Sequence, residues 1–208
     1  MKTILLSFLL FLPCAQAAPL KLATFDVDAT PARGRLLAYD PMRETGELSL
    51  RCRGIVLTGM EKPVVVCSVD WIGIANTAHD AFCEALAEAA GTVPERVAVH
   101  ALHQHDAPIA DFATAEILRS HGRDSAVFDD LFTREVIGRA AQAVKESLTK
   151  AQPVTRAGYG SAEVKEVASN RRILGPDGKV RATRFTATKD PAIRAEPEGV
   201  IDAAASVI

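Results

Sequence analysis

Two imidazoles one residue apart, His103 and His105, follow the apolar run 96–102 and are themselves followed by Asp106, Ala107 and Pro108. On extended backbone, side chains two residues apart project to the same side, so a strand ending here can aim both rings at one metal ion or one substrate atom. A neutral imidazole nitrogen is a good zinc ligand, and a neighbouring ring can instead donate a hydrogen bond to a polarised carbonyl oxygen. The chemically silent alternative is a pair of histidines packed or hydrogen-bonded in a loop. H-x-H alone does not choose among hydrolases. The metallo-β-lactamase-like pattern needs H-x-H-x-D-H, whereas here Asp106 follows the second histidine directly, and amidohydrolase barrels carry their pair after the first strand. Alternation sends His100 to the opposite face, where it reads as a packed core histidine. His79 and His121 stand alone and read as solvated.

The elements that must position this cluster alternate between strand and helix. Residues 20–27, 50–58, 64–69 and 96–102 are strand-like, the second and third being separated by the break 59–63. Phe82, Leu86, Ala89 and Ala90 recur at helical spacing over residues 75–90, and Gly91 and Pro94 end that helix. A longer helix is expected over 128–150, with Leu131, Phe132, Val136, Ile137, Ala140, Val144 and Leu148 along one face. Strands are expected again at 154–164 and 180–186, with a turn at 175–178 before the second. The order predicts an α/β fold with a mixed, partly parallel sheet flanked by helices. In such sheets ligands collect beyond the carboxyl ends of the strands, where both Asp70 and the histidine cluster fall. Asp70 can orient a histidine from behind, as carboxylates do beside metals, or simply cap the segment before the helix. Asp106 is the other carboxylate placed to support a ring.

Where this chemistry would operate is read from the first seventeen residues. Lys2 gives a positive start, residues 4–12 are apolar, and Ala15 and Ala17 frame a cleavage site that would leave Ala18 as the new N-terminus. Cys14 offers a lipoprotein alternative, but Pro13 suits that site poorly. The expectation is a signal peptide over 1–17 and a secreted or periplasmic protein. The apolar stretch is too short for a membrane span. Without Lys2, 23 basic against 26 acidic side chains leave a formal charge of −3, which gives neither a nucleic-acid nor a polybasic membrane surface. Cys52, Cys67 and Cys83 are widely spaced and read as small core hydrophobes, with a Cys52–Cys67 disulfide as the alternative. Residues 18–208 show no repeat or linker and suffice for one domain with a core.

Taken in order, several segments resemble the neutral, nonlysosomal ceramidase family. His103-Gln104-His105-Asp106-Ala107-Pro108 is similar to the family's T-H-T-H-S-G-P element, keeping both histidines and the proline. Residues 26–31 resemble its opening A-D-I-T element, Ala168-Ser169-Asn170-Arg171 its A-S-x-N-R element, and residues 198–202 its D-G-x-D run. The resemblance implies a zinc-dependent hydrolase of a linear lipid amide. It makes His103 a zinc ligand, His105 a catalytic group near the scissile amide, and Asn170 and Arg171 substrate contacts. Without it, residues 170–172 read as a polar turn. Zinc in that family polarises the amide carbonyl or activates water, and the imidazole beside it stabilises the oxyanion. The family's remaining ligands, a second histidine, a glutamate and a tyrosine, lie far downstream, and no histidine follows His121 here. The expectation is therefore the incomplete N-terminal part of a larger catalytic domain, inactive alone, with an exported non-catalytic binding module as the alternative. The oligomeric state is left open.

Overall fold

The structure is a computed structural model and describes residues 18–123 and 126–208, so the expected signal peptide lies outside the described residues. The chain divides into two compact units, one up to Thr155 and one from Arg156 to Ile208, at a boundary that no change of composition marks.

The first unit runs β1 (Lys21–Asp28), β2 (Arg51–Thr58), β3 (Val64–Val69), β4 (Gly73–Ile74), α1 (Asn76–Ala90), β5 (Val97–Ala101), β6 (Ile109–Ala110), α2 (Phe112–Ser120), α3 (Asp130–Leu148) and β7 (Gln152–Pro153). Its main sheet has the order β5-β3-β2-β1-β7. All neighbours are antiparallel except β3 and β5, which are parallel and joined through α1. The sheet is thus mixed and the unit α/β, as the alternation of patterns predicts.

Side-chain alternation decides which face is dry. Ala23, Phe25, Cys52, Val56, Val65, Cys67, Val69, Val97 and Val99 are buried, in one cluster with Phe82 and Leu86 of α1 and Phe132, Val136, Ile137, Ala140 and Val144 of α3. Full burial of a side chain the size of Phe82 or Leu86 contributes about 1.5–3 kcal/mol. The intervening residues Thr24, Asp26, Arg53, Ala98 and His100 are exposed on the opposite face. Gly54 sits under the Phe25 ring, and a Cβ there would lie 2.1 Å from the Val66 carbonyl oxygen and 2.7 Å from the ring. Only glycine lets this strand pass.

Three expectations need correction. His100 is exposed, because the helices cover only the Val97 and Val99 side of β5 and its other side lies on the exposed face of the sheet with Thr24, Asp26 and Arg53. Leu131 is 72% exposed, the first turn of α3 being turned so that Phe132 enters the core instead. Residues 154–164 are not one strand. Only Gln152–Pro153 and Gly160–Glu163 pair, and the exposed stretch between them contains Gly158 and no buried residue. Helix α2 was not anticipated in the periodicity, since only Phe112 and Ala115 of its nine residues are buried.

Asp111 starts that helix, its Oδ1 accepting from the Thr114 N–H and its Oδ2 from the Thr114 hydroxyl and from Asn76 at the start of α1. Burial alone would raise its pKa. The bonds from Thr114, Asn76 and the Ala113 backbone more than reverse this and hold the carboxyl below the ordinary aspartate value. The stabilisation is therefore complete above the unfolded-state pKa and is lost as pH falls through the lower folded value. Asp111→Ala is expected to cost roughly 1–2 kcal/mol at pH 7 and to shrink that acid-side loss. Urea titrations of both proteins at pH 7 and pH 3 measure it, and equal pH slopes would refute it.

The cysteines behave as small core groups, as expected. All three are free and buried, and Cys52 and Cys67 approach to 3.6 Å between sulfurs across β2 and β3. That contact and burial push the Cys67 thiol well above its usual range, so neither thiolate formation nor nucleophilic chemistry is favoured there.

In the second unit, β8 (Gly160–Glu163) pairs with β11 (Ala204–Val207), and β9 (Arg172–Leu174) pairs with β10 (Val180–Thr183) across the expected turn at 175–178. One short helix, α4 (Pro191–Arg194), precedes β11. Ile173 is its buried hydrophobe, and Arg184 ties the unit together by donating to the carbonyls of Asn170, Ile193, Glu196 and Pro197.

Candidate functional site

Unequal connection lengths create the site. Beyond the parallel pair β3 and β5 lies a second short parallel pair, β4 and β6. Residues 70–72 connect β3 to β4, whereas residues 102–108 make the matching step from β5 to β6. The surplus residues of the longer connection cannot run alongside the shorter one and must bulge outward. His103 to Asp106 are that bulge, and all four are exposed, while Ala107 and Pro108 return into the protein buried. The shorter connection fixes both ends: Leu102 N–H donates to Val69 O, His103 N–H to Trp71 O, and Ile72 N–H to Pro108 O.

His103 pays a conformational cost to sit there. Its φ of 63° lies in the left-handed region, a strain of about 1–3 kcal/mol for a residue with a Cβ. Two hydrogen bonds oppose that strain, the backbone bond to Trp71 O and one from the ring, whose Nδ1 lies 2.8 Å from Ile72 O. A carbonyl only accepts, so Nδ1 carries the proton and Nε2 of the neutral ring holds a free lone pair. That is the arrangement a metal-binding histidine needs, with the partner a backbone carbonyl rather than a carboxylate.

The His105 ring is nearly perpendicular to that of His103, centroids 5.0 Å apart, and its centroid lies 5.4 Å from that of Tyr39. Among the described residues neither of its nitrogens has a hydrogen-bond partner. Both are available to a substrate. Beside the bulge opens a cavity of about 470 Å³ lined by Gln104 and Asp106, by Thr30 and Leu50 at the ends of the β1–β2 connection, and by Leu37, Pro41 and Met42 within it.

The other expected site residues fare differently. Asp70 does not turn to the histidines: its N–H donates to Arg51 O, while its Oδ2 accepts from Arg51 N–H at 2.9 Å and from the Arg53 guanidinium at 3.1 Å. It extends the β2–β3 ladder, and a backbone carbonyl does the orienting instead. The Asp106 carboxylate has no partner among the described residues and lines the cavity. Asn170 and Arg171 belong to the second unit, where the Asn170 N–H donates to Glu198 O and the Arg171 guanidinium lies 5.6 Å over the Phe185 ring. No group of three or more histidine, cysteine, aspartate or glutamate side chains suited to a metal ion occurs among the described residues. His103 fits zinc as a single donor, but catalytic zinc takes three protein ligands, so these residues do not make the whole site. Sequence reading missed Tyr39, whose neighbours Asp40 and Pro41 signal a turn but not its contact, and the carbonyls of Trp71 and Ile72, which no side chain announces.

No family model and no curated protein matches the sequence. Among solved structures the chain is similar to neutral ceramidase from Pseudomonas aeruginosa, with a TM-score of 0.56 at 14% identity over 79% of this chain and 31% of that one. It is also similar to a ceramidase complexed with C2, with a TM-score of 0.53 at 16% identity over 74% of this chain and 25% of that one. The fold is therefore ceramidase-like, and the chain spans less than a third of the length of either structure.

Proposed function

We propose that this chain supplies the first zinc ligand, His103, and a substrate-polarising group, His105, of a secreted or periplasmic zinc-dependent amide hydrolase of the neutral ceramidase type, acting on a linear lipid amide. The observation that carries the reading is the His103 ring, fixed through Nδ1 by Ile72 O and with no partner at Nε2 among the described residues, on a bulge at the carboxyl ends of a parallel strand pair. The ceramidase-like fold and the ordered motifs supply the substrate class. For Asn170 and Arg171 in the second unit, a role as substrate contacts rests on the motif resemblance alone. The remaining zinc ligands are assigned to residues outside those described.

His105 can donate a hydrogen bond to the amide carbonyl oxygen as negative charge gathers there, and its unpartnered nitrogens leave it free to do so. No helix among the described residues is long and apolar enough to cross a membrane. A longer form carrying further zinc ligands is expected to hold one zinc per chain and to release fatty acid from N-acylsphingosine, whereas residues 18–208 alone bind zinc weakly and are inactive. Metal analysis and fatty-acid release test this together, and a zinc-loaded longer form without amidase activity would reject it.

The second reading, an exported binding module, is favoured by the lack of a complete ligand set among the described residues. It predicts ligand binding by residues 18–208 without turnover in any form. Export itself predicts that a secreting bacterial host yields a protein beginning at Ala18. An intact mass that retains residues 1–17, or a lipid on Cys14, would contradict that maturation.

A further inference from the structure

We infer that Tyr39 is a positioning residue for His105, delivered by a hairpin in the β1–β2 connection; the inference rests on His105 being the group that meets the substrate. The hairpin spans residues 34–42. Gly34 N–H donates to Met42 O, Met42 N–H to Arg35 O and Leu37 N–H to Asp40 O, which places Ala38 and Tyr39 at the turn. It is held at both ends. At the base, Arg35 pairs with Asp129, the residue that caps α3, at 2.6 Å. At the tip, Ala38 N–H donates at 3.0 Å to the carbonyl of Ala107, the residue that follows the histidine bulge.

This double anchorage explains why an exposed tyrosine has a defined neighbour. Tyr39 is 67% exposed, yet its ring lies 5.4 Å from that of His105 at an interplanar angle of 49°. His105 needs such a neighbour. His103 is locked by its bond to Ile72 O, whereas His105 has no hydrogen bond among the described residues and stands on an exposed bulge. An unrestrained side chain there exchanges among staggered rotamers, and a group that must meet one substrate atom loses effectiveness in proportion to the time spent elsewhere. The Tyr39 ring at 5.4 Å and the near-perpendicular His103 ring at 5.0 Å together select one orientation. The hairpin also carries Leu37, Pro41 and Met42 into the wall of the adjoining cavity, which Gln104 and Asp106 line from the bulge.

The test is proton NMR of the 208-residue chain after removal of any leader, with His105 assigned by its loss in a His105→Gln variant. Ring-to-ring nuclear Overhauser contacts between Tyr39 and His105 are expected in the unmodified protein, and their absence overturns the inference without reliance on any variant. Tyr39→Leu should abolish the ring-current displacement of the His105 ring protons while leaving His121 unmoved. Tyr39→Phe should retain it, because the ring rather than the hydroxyl does the positioning. His105 signals that stay in place in Tyr39→Leu overturn the inference. In a longer, active form, Tyr39→Leu should lower kcat with little change in KM, with Tyr39→Phe restoring it; an unchanged kcat also overturns the inference. A longer form with no amidase activity, but with the NMR contacts intact, would remove the hydrolase reading and leave the orientation of His105 standing.

Discussion

Replacing His103 by alanine in a longer form that carries the other zinc ligands is expected to abolish metal binding and amide hydrolysis together. A zinc ligand, the role proposed for His103, sets both the occupancy of the metal and the chemistry performed there, so the two losses are expected together. His105→Ala is expected to behave differently. Its ring has no hydrogen bond that supports the fold among the described residues, so most of the zinc should remain. Turnover should nevertheless fall by about 10²–10³-fold, the usual cost of losing one oxyanion donor. Zinc content and kcat/KM measured on the two variants make the comparison, with His121→Ala as a surface control. Should both variants keep metal and rate, the cluster would be an ordinary polar bulge.

Trp71→Ala is the second change expected to have a large effect, and it acts on the site from beneath. Trp71 is fully buried, its ring centroid 6.0 Å from Phe82 and 5.8 Å from Phe132, and its Nε1–H donates to Ala29 O at 3.0 Å. The truncation should cost about 3–5 kcal/mol, because such a cavity relaxes only in part. The same residue's carbonyl accepts from the His103 N–H. Loosening the connection at 70–72 therefore also releases the left-handed backbone at His103, and the ring loses its fixed orientation. Trp71→Phe keeps most of the apolar contact but leaves Ala29 O without its donor, at a cost of roughly 1–3 kcal/mol. Urea unfolding gives the stabilities, and the His103 imidazole resonances report the site. A Trp71→Ala protein as stable as the parent would show that the core does not depend on this side chain.

Much of the fold was legible in the sequence because local patterns and tertiary burial agree. The β-branched run at 64–69 coincides with β3, and the apolar spacing ended by Gly91 matches α1, where Gly91 adopts the left-handed cap that glycine favours. The agreement fails where the pattern implies cover that the fold does not supply, or where an element buries very little. Nothing in alternation says which side of β5 the helices cover, so His100 reads as packed when it is exposed. Helix α2 buries too few residues to imprint a period, although Asp111 and Thr114 carry its capping chemistry.

The same division runs through the site. By itself the sequence determined that two histidines stand beyond a strand end, one residue apart, because side-chain identity and spacing along one segment are local properties. Only the tertiary structure decided what each histidine can do. The ring of His103 is fixed by the carbonyl of Ile72, Asp70 is drawn away to Arg51 and Arg53, and Tyr39 reaches His105 from a hairpin more than sixty positions earlier. Backbone carbonyls are the same at every residue, and long-range neighbours are set by how connections of unequal length are forced to bulge and meet. Neither leaves a mark in the order of side chains, so the histidines could be found by reading along the chain while their orientation could not.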